Sequence, residues 1–294
     1  MPNFRGSYTV MVTPFTEDGA AVDEEALRQF VNWQIDSGAH GLIPLGSTGE
    51  FLSQTCNERT RVAEIVINEA KGRVPVLVGT ASEWTDESIQ YSKDAERLGA
   101  DGVMIVPPYY ASPTEDELFE HYRRIADAIS IPIMVYNNPS TSNVDIKPHL
   151  LARLSEIDNV SYVKESSGDV GRVSEIRNLC GNRLTVFAGY FPFESFAAGA
   201  QGYVSVCSNI APKMSADLFT LTVDDGNLAD ARALNLKLLP LFQALSGDLY
   251  VSATKAALNL MGHRVGFPRP PRLPLPANKI STLKKVLTAL ELKS

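Results

Sequence analysis

The sequence predicts an α/β protein, a (β/α)8 TIM barrel with a C-terminal helical extension, and three observations predict it. Short apolar runs alternate with longer stretches of helical spacing along the first two-thirds of the chain. The runs are continuous in Val, Ile and Leu, as in parallel strands that are buried on both faces. Glycine follows several helical stretches, at Gly38, Gly99 and Gly199, where a left-handed cap leads a chain into its next strand.

Eight strands, with helices between them, follow from this alternation. The strands are predicted at 7–13, 41–45, 74–79, 102–106, 131–136, 161–164, 184–188 and 202–206. The helices between them are predicted at 24–37, 57–70, 85–98, 115–129, 147–155, 170–180 and 192–198. An open doubly wound sheet is the alternative, but no GxGxxG phrase follows the first strand, which disfavours it.

Beyond residue 206 the apolar spacing is helical only, which predicts the C-terminal extension. Helices are predicted there at 212–223, 228–246, 250–261 and 279–290. The proline-rich stretch 267–276 fits neither a helix nor a central strand, so we expect a rigid surface crossing. The barrel is therefore predicted over 1–212, with its eighth helix running to about 223, and 224–294 as a helical segment packed on the barrel.

Composition excludes several classes of protein. The 294 residues are 44% hydrophobic and carry a net charge of −7, which is unlike the basic footprint of a nucleic-acid binder. No apolar run has the length of a membrane span, and no signal peptide is recognisable. The three cysteines are too few and too widely spaced for a disulfide framework, and the four histidines lack metal-ligand spacing. We expect a soluble, cytoplasmic protein with no nucleic-acid, membrane or metal partner.

In a (β/α)8 barrel the active site lies at the carboxyl ends of the strands. Four predicted strands end in unusual polar or aromatic residues, at 46–50, 107–110, 136–139 and 164–167. The first of these, Gly-Ser-Thr-Gly-Glu, offers backbone N–H groups and two hydroxyls that suit a carboxylate.

Lys164 is the most informative of these residues, because it closes an apolar strand. Burial lowers the pKa of a lysine and frees its amine to attack a carbonyl carbon. Tyr136 ends the neighbouring strand, from which a phenol can relay protons to that adduct. The alternatives are a lysine snorkelling to solvent and a merely packed aromatic ring.

Four motifs occur in a fixed order along the chain, Gly46-Ser47-Thr48-Gly49-Glu50, Tyr109-Tyr110, Tyr136-Asn137-x-Pro139 and Lys164-Glu165. With them the chain resembles the dihydrodipicolinate synthase / N-acetylneuraminate lyase family of class I, Schiff-base-forming lyases. The resemblance extends from about Gly6 to the C-terminal helices, and it implies a (β/α)8 barrel followed by a helical segment.

The resemblance also implies roles for single residues. Lys164 would form the Schiff base with the keto carbon of pyruvate or another 2-oxo acid, and Tyr136 would be the proton donor and acceptor. Thr48 would pass protons between Tyr136 and Tyr110, an aromatic that this family contributes across a dimer interface. The substrate-binding positions would be Ser47, Thr48, Gly49, Thr141, Gly189 and Val204.

A protonated imine is an electron sink, so the resemblance implies chemistry that needs no metal and no organic cofactor. It implies a small-molecule 2-oxo acid as the partner. It further implies a homo-oligomer, a dimer of dimers.

Thr141 departs from the synthase branch of this family, in which an arginine clamps the distal carboxylate of aspartate semialdehyde. A neutral hydroxyl does not replace a bidentate guanidinium. The hydroxyls and amides around Thr141 suit a polyhydroxylated tail instead. We therefore expect an aldolase, dehydratase or deaminase acting on pyruvate or a hydroxylated 2-oxo acid, as in sugar-acid or hydroxyproline catabolism.

Two alternatives remain open. One is the 4-hydroxy-tetrahydrodipicolinate (dihydrodipicolinate) synthase of lysine biosynthesis, with an arginine from elsewhere such as Arg172, which we expect to face away on a helix. The other is a non-catalytic 2-oxo acid binding barrel, which the presence of both Lys164 and Tyr136 disfavours. Glu50 is expected to cap a helix or to contact another subunit, and Glu165 to be structural.

Overall fold

The computed structural model describes residues 3–292. Met1, Pro2, Lys293 and Ser294, at the ends of the predicted ranges 1–212 and 224–294, lie outside the described residues. Eight strands occur within 3–292, and they are β1 (Gly6–Val10), β2 (Gly41–Ile43), β3 (Leu77–Gly79), β4 (Gly102–Ile105), β5 (Ile133–Asn137), β6 (Val160–Glu165), β7 (Thr185–Ala188) and β8 (Gly202–Ser205).

The strands have the order β2-β1-β8-β7-β6-β5-β4-β3, and β1–β2 and the successive pairs from β3 to β8 are parallel. This is the strand order of a (β/α)8 barrel, so the predicted fold class is confirmed. Each predicted strand is found, with ends that differ by a few residues. Almost every strand residue is buried, as continuous apolar runs indicate.

Helices separate the strands and follow the last one. They are α1 (Glu24–Asp36), α2 (Cys56–Ala70), α3 (Thr85–Leu98), α4 (Glu115–Ala126), α5 (Pro139–Ser142), α6 (Pro148–Leu154), α7 (Gly171–Cys180), α8 (Pro192–Ala197), α9 (Pro212–Phe219), α10 (Leu228–Ala244), α11 (Tyr250–Leu260) and α12 (Ala277–Ala289). The short α5 was not predicted. No helix within 3–292 combines the length and the apolar character that crossing a bilayer requires.

Local sequence signals explain where these helices begin and end. Thr55 and Thr114 each form a capping box with the glutamate three residues later, which satisfies two backbone N–H groups at the start of α2 and α4. Gly38, Gly99 and Gly199 follow helices with φ of 89°, 94° and 107°, the left-handed conformation that was predicted for them.

The described chain divides into two compact units, one of residues 3–6 and 75–204 and the other of 7–74 and 205–292. The first unit holds β3 to β7 and most of β8. Its core includes Tyr162 of β6, whose ring lies 4.9 Å from that of Phe4 and 6.1 Å from that of Phe187. The hydroxyl of Tyr162 accepts a hydrogen bond from the backbone N–H of Phe4. Aromatic packing thus fixes the strand that carries Lys164.

The second unit contains most of β1, together with β2, α1, α2 and the helices from α9 onward. A buried polar network holds its interior together. Thr9 donates to Gln34 over 2.7 Å, Gln34 donates to the carbonyl of Asn209, and the Asn209 amide donates to the carbonyl of Val10. Because each of these buried groups has a partner, the network specifies one arrangement of β1, α1 and the segment after β8.

Candidate active site

Lys164 and Tyr136 lie side by side in the first unit. They are register partners on the neighbouring parallel strands β6 and β5, so their side chains leave the sheet on the same face. The Nζ atom of Lys164 lies 3.7 Å from the centre of the Tyr136 ring. Each residue is only 6% exposed. The structure therefore brings together the amine and the phenol that the sequence singled out.

The electrostatics of Lys164 favour a nucleophile. The face of a tyrosine ring attracts an ammonium, but the free-energy cost of removing that ammonium from water is larger than this attraction. Burial lowers the pKa of Lys164 to about 7. A substantial fraction of the protein therefore carries a neutral amine at neutral pH, which is the form that attacks a carbonyl carbon.

The phenol of Tyr136 is held by the start of α5. The Asn138 amide donates to the Tyr136 hydroxyl over 2.8 Å, and the Ser140 hydroxyl donates to the Asn138 side-chain oxygen over 2.7 Å. Pro139, with its fixed φ, begins the short helix between them. This chain orients the hydroxyl that would exchange protons with a substrate.

Tyr190 lies near Tyr136 and Ser140, and the sequence did not indicate it as a site residue. Burial raises its pKa, Tyr136 raises it further, and a hydrogen bond with Ser140 opposes the rise. Tyr190 follows Gly189, a position expected to line the site, and this adjacency was the only signal for it.

Asn137 and Glu165 support the two strands from the opposite side. The Asn137 amide donates to Glu165 over 3.1 Å and to Asp145 over 3.2 Å, and its oxygen accepts the backbone N–H of Ile146. The other oxygen of Glu165 accepts the backbone N–H of Ser167 over 2.6 Å. Glu165 is thus structural, as its alternation with Lys164 along the strand predicts.

Thr141 and Arg172 decide whether a guanidinium is available to bind the distal carboxylate of a substrate. Thr141 is exposed on α5, where its backbone N–H donates to the carbonyl of Asn138. Arg172 lies on α7 and binds Asp145 through two bonds of 2.5 and 2.8 Å. Because this carboxylate already occupies its guanidinium, Arg172 is a poor substitute for the arginine missing at 141.

Gly189 and Val204, two predicted substrate-binding positions, end neighbouring strands. The N–H of Gly189 donates to the carbonyl of Glu165 over 2.8 Å. A Cβ atom there would lie 1.7 Å from the Ser166 hydroxyl oxygen, which only glycine avoids. Val204 lies on β8 and is buried. Their contact with a substrate stays a prediction.

The predicted carboxylate-binding turn lies in the second unit. Leu45 and Glu50 bound it, and both have a left-handed backbone, with φ of 61° and 57°. Such strain in residues other than glycine is typical of functional sites. Between them Thr48 is buried and Ser47 is half-buried.

Internal hydrogen bonds stabilise this turn. The N–H of Gly49 donates to the carbonyl of Gly46, and that of Glu50 to the carbonyl of Ser47. The carbonyl of Gly49 accepts bonds from Thr13 over 2.8 Å and from Gln54 over 2.6 Å. The roles of Ser47, Thr48 and Gly49 toward a ligand stay predictions.

Tyr110 is 88% exposed in the loop after β4. Glu83 holds this loop by accepting the consecutive N–H groups of Tyr109, Tyr110 and Ala111 over 2.8, 3.0 and 2.8 Å. Burial favours the neutral acid, but these three donors lower the pKa of Glu83 below its ordinary value. The role of Tyr110 across a subunit interface stays a prediction.

The expectation that Glu50 caps a helix was wrong. Its side chain is fully buried and does not cap the short 3-10 helix that follows it. It lies 2.7 Å from Lys255 and accepts the backbone N–H of Arg269. One signal for this pairing was available, because Lys255 is a lone charge in an otherwise uncharged helix.

Comparison with known proteins agrees with this geometry. The model of the dihydrodipicolinate synthetase family matches residues 3–290. A 4-hydroxy-tetrahydrodipicolinate synthase from Pelobacter propionicus is 41% identical over 286 residues, which is 97% of this chain and 98% of that protein. A similar enzyme from Rhodopseudomonas palustris, with the same name, is 41% identical over 94% of this chain and 93% of its own length.

Solved structures give the same result. The chloride-inhibited dihydrodipicolinate synthase from Acinetobacter baumannii, complexed with pyruvate, is similar with a TM-score of 0.95 and 32% identity over 99% of this chain and 100% of that one. The dihydrodipicolinate synthase from Thermotoga maritima has a TM-score of 0.94 and 34% identity over 98% of this chain and 99% of its own. The chain is therefore a lyase that belongs to the dihydrodipicolinate synthetase family, whose members act through a Schiff base.

Proposed function

We propose that the protein is a 4-hydroxy-tetrahydrodipicolinate synthase, which condenses pyruvate with aspartate semialdehyde through an imine on Lys164. The observation that carries this proposal is the buried Lys164 amine, with a pKa of about 7, against the ring of Tyr136. The names of the relatives at 41% identity support the synthase over the catabolic activity expected from Thr141.

The reaction begins with pyruvate. The neutral amine of Lys164 attacks C2, and loss of water from the carbinolamine leaves a protonated imine. Tyr136 donates the proton that the departing hydroxyl needs, and it accepts a proton again in later steps. Removal of a proton from C3 then gives an enamine, because the imine takes up the electron pair.

The second substrate reacts at this carbon. C3 of the enamine attacks the aldehyde carbon, the aldehyde oxygen gains a proton, and a C–C bond forms. The amino group of the second substrate then attacks the imine carbon, closes a ring and displaces Lys164 as a free amine. No electrons are gained or lost overall, so we propose that no metal or organic cofactor takes part.

The remaining parts of the proposal follow the family pattern. The turn at 46–50, with Ser47, Thr48 and Gly49, binds the carboxylate of the 2-oxo acid. The protein is a homo-oligomer, and Tyr110 lies at the interface between its subunits. A cytoplasmic location is supported by the three cysteines, which are all free thiols.

Thr141 favours a second candidate function. The guanidinium that would bind the distal carboxylate of aspartate semialdehyde is missing at this position. A hydroxylated 2-oxo acid without that carboxylate does not need this interaction. The exposed hydroxyls of Ser140 and Thr141 suit such a substrate.

One set of assays separates the two candidates. The purified protein is given pyruvate with aspartate semialdehyde, and separately a panel of hydroxylated 2-oxo acids, and kcat/KM is compared. The synthase proposal expects the condensation to be fastest by at least about tenfold, a difference of about 1.4 kcal/mol in transition-state binding. Faster cleavage or dehydration of a hydroxylated acid would contradict it and support the second candidate.

A further inference from the structure

A largely buried group of charges begins at Glu50, the last residue of the 46–50 turn, and no step of the proposed reaction uses it. This group, here called the Glu50 cluster, consists of Glu50, Lys255, Arg269, Glu58 and the ring of Phe15. The side chains of Glu50 and Lys255 are 0% and 1% exposed, and their charged atoms lie 2.7 Å apart. The second oxygen of Glu50 accepts the backbone N–H of Arg269 over 2.9 Å.

The cluster is closed on its other sides as well. The guanidinium of Arg269 binds both oxygens of Glu58, over 2.6 and 3.0 Å. Lys255 and Arg269 each lie 4.1 Å from the centre of the Phe15 ring, and Lys255 donates to the carbonyl of Phe267 over 3.1 Å. The cluster thus connects helix α11 and the proline-rich stretch 267–276 to the turn.

Stability alone does not explain this arrangement. Removing two charges from water costs free energy that their attraction only partly returns, and apolar residues of similar shape often stabilise a core as well or better. Burial lowers the pKa of Lys255 to about 8, while Glu50 limits the fall, so the lysine remains mostly charged at neutral pH. A buried ion pair does, however, fix the orientation of its two side chains, because neither charge can move far without losing its partner.

The orientation of Glu50 matters for the shape of the 46–50 turn. It has φ of 57°, its N–H closes the turn on the carbonyl of Ser47, and it follows Thr48 and Gly49 directly. A residue other than glycine keeps a left-handed backbone only where its surroundings hold it there. The ammonium of Lys255 and the backbone of Arg269 hold the side chain of Glu50 from two directions.

We propose that Lys255 is a positioning residue, which acts through Glu50 to hold the 46–50 turn in the shape that binds the carboxylate of the 2-oxo acid. This inference rests on the proposed function, in which that turn binds the carboxylate. Lys255 itself touches no substrate. Its loss weakens the binding of pyruvate and leaves the Lys164 amine as reactive as before.

The test compares Lys255→Met with a control, Lys213→Met, which removes an exposed lysine paired with Asp217 on α9. Pyruvate is mixed with each protein, the imine is reduced with borohydride, and the adduct on Lys164 is measured against pyruvate concentration. For Lys255→Met we expect the half-saturating concentration to rise about tenfold to a hundredfold, with the yield at saturation within about twofold of wild type. The control is expected to match wild type.

Glu50→Gln and the double variant complete the experiment. Glu50→Gln keeps the shape of the side chain and is expected to shift half-saturation in the same direction, and the double variant to be no worse than the poorer single variant. Lys255→Arg, which keeps a charge, is expected to recover part of the loss. An unchanged half-saturation in folded Lys255→Met or Glu50→Gln, with only a lower melting temperature, would overturn the inference.

A second measurement keeps this inference separate from the proposed function. Backbone amide hydrogen exchange is followed over residues 46–50, and we expect faster exchange in Lys255→Met than in Lys213→Met. If the wild-type protein forms no adduct with pyruvate, the proposed function fails, and exchange alone then decides whether Lys255 holds the turn. Equal exchange in the two variants would contradict that role.

Discussion

The amine of Lys164 faces the ring of Tyr136 at 3.7 Å, and the two residues are register partners on neighbouring strands. Both residues lie on strands, so the hydrogen bonds of the sheet hold their backbones in register. A single geometry thereby excludes water from the amine, which lowers its pKa, and supplies a phenol for proton transfer.

Tyr136→Phe removes the hydroxyl and keeps the ring against Lys164. We expect kcat to fall by about 10² to 10⁴, the range typical of a lost general acid or base, with a nearly unchanged fold. Steady-state kinetics and circular dichroism check this. Tyr91→Phe, which removes a hydroxyl that binds Glu87 on α3, is the control and is expected to stay within about twofold of wild type. A Tyr136→Phe variant as active as the control would remove Tyr136 from the mechanism.

Glu83→Gln tests how the loop that carries Tyr110 is held. An amide oxygen accepts less strongly than a carboxylate, and it can replace only part of three charge-assisted bonds. We expect the exchange of the N–H groups at 109–111 to become about ten to a hundred times faster, which corresponds to about 1.4–3 kcal/mol. Glu64→Gln, at a surface ion pair of α2, is the matched control. Unchanged exchange at 109–111 would show that the loop does not depend on Glu83.

Gly189→Ala tests the close packing of Gly189 against Ser166 and the backbone of Glu165. The new Cβ would lie 2.8 Å from the Cβ of Ser166 and 3.0 Å from the carbonyl of Glu165, so the protein should lose about 1–3 kcal/mol of unfolding free energy. Urea denaturation measures the loss. Adding Ser166→Gly in the same chain removes the nearer contacts and should restore part of the stability. Equal stability of Gly189→Ala and wild type would contradict this close packing of Gly189 against Ser166.

Thr141→Arg tests whether this position selects the second substrate. If the variant guanidinium binds the distal carboxylate, the KM for aspartate semialdehyde should fall by about tenfold or more, a gain typical of a charge-assisted bidentate pair. Thr141→Lys, which offers a point charge without the planar fork, should improve it less. A KM that does not change in either variant would mean that Thr141 has no contact with the carboxylate.

Much of the fold was predictable because local signals agreed with it. Continuous apolar runs located all eight strands, and Gly38, Gly99 and Gly199 marked three helix ends through their left-handed conformation. The short α5 was missed, since four residues give no periodicity. The π-helical turn Thr220–Asp224 was missed for a related reason, because it continues the apolar spacing of α9.

The candidate site was predictable where a residue type was unusual for its place. Lys164 was such a case, because a lysine is unusual at the end of an apolar strand. In a barrel the neighbouring strand ends beside it, and the residue at that end is Tyr136. The partners of Glu50 were not predictable from spacing, since Lys255 and Arg269 lie more than two hundred residues away along the chain. Tyr190 was missed because an aromatic after a strand is ordinary until its neighbours are known.

The pH dependence of imine formation on Lys164 tests the proposed mechanism most directly. The protein is mixed with pyruvate for a fixed short time at pH values on both sides of 7 and quenched into borohydride at one common pH. The peptide that contains Lys164 is then examined by mass spectrometry. Because burial lowers the pKa of Lys164 to about 7, the neutral amine is lost as the pH falls below that value.

We expect an adduct on Lys164 that is absent from Lys164→Arg. Its initial rate should fall about tenfold for each pH unit below 7 and level off above it, since the neutral amine is the nucleophile. Three results would contradict the role of Lys164 as the buried nucleophile: an adduct on another lysine, no adduct at any pH, or a rate that keeps rising to pH 10 like that of an ordinary lysine.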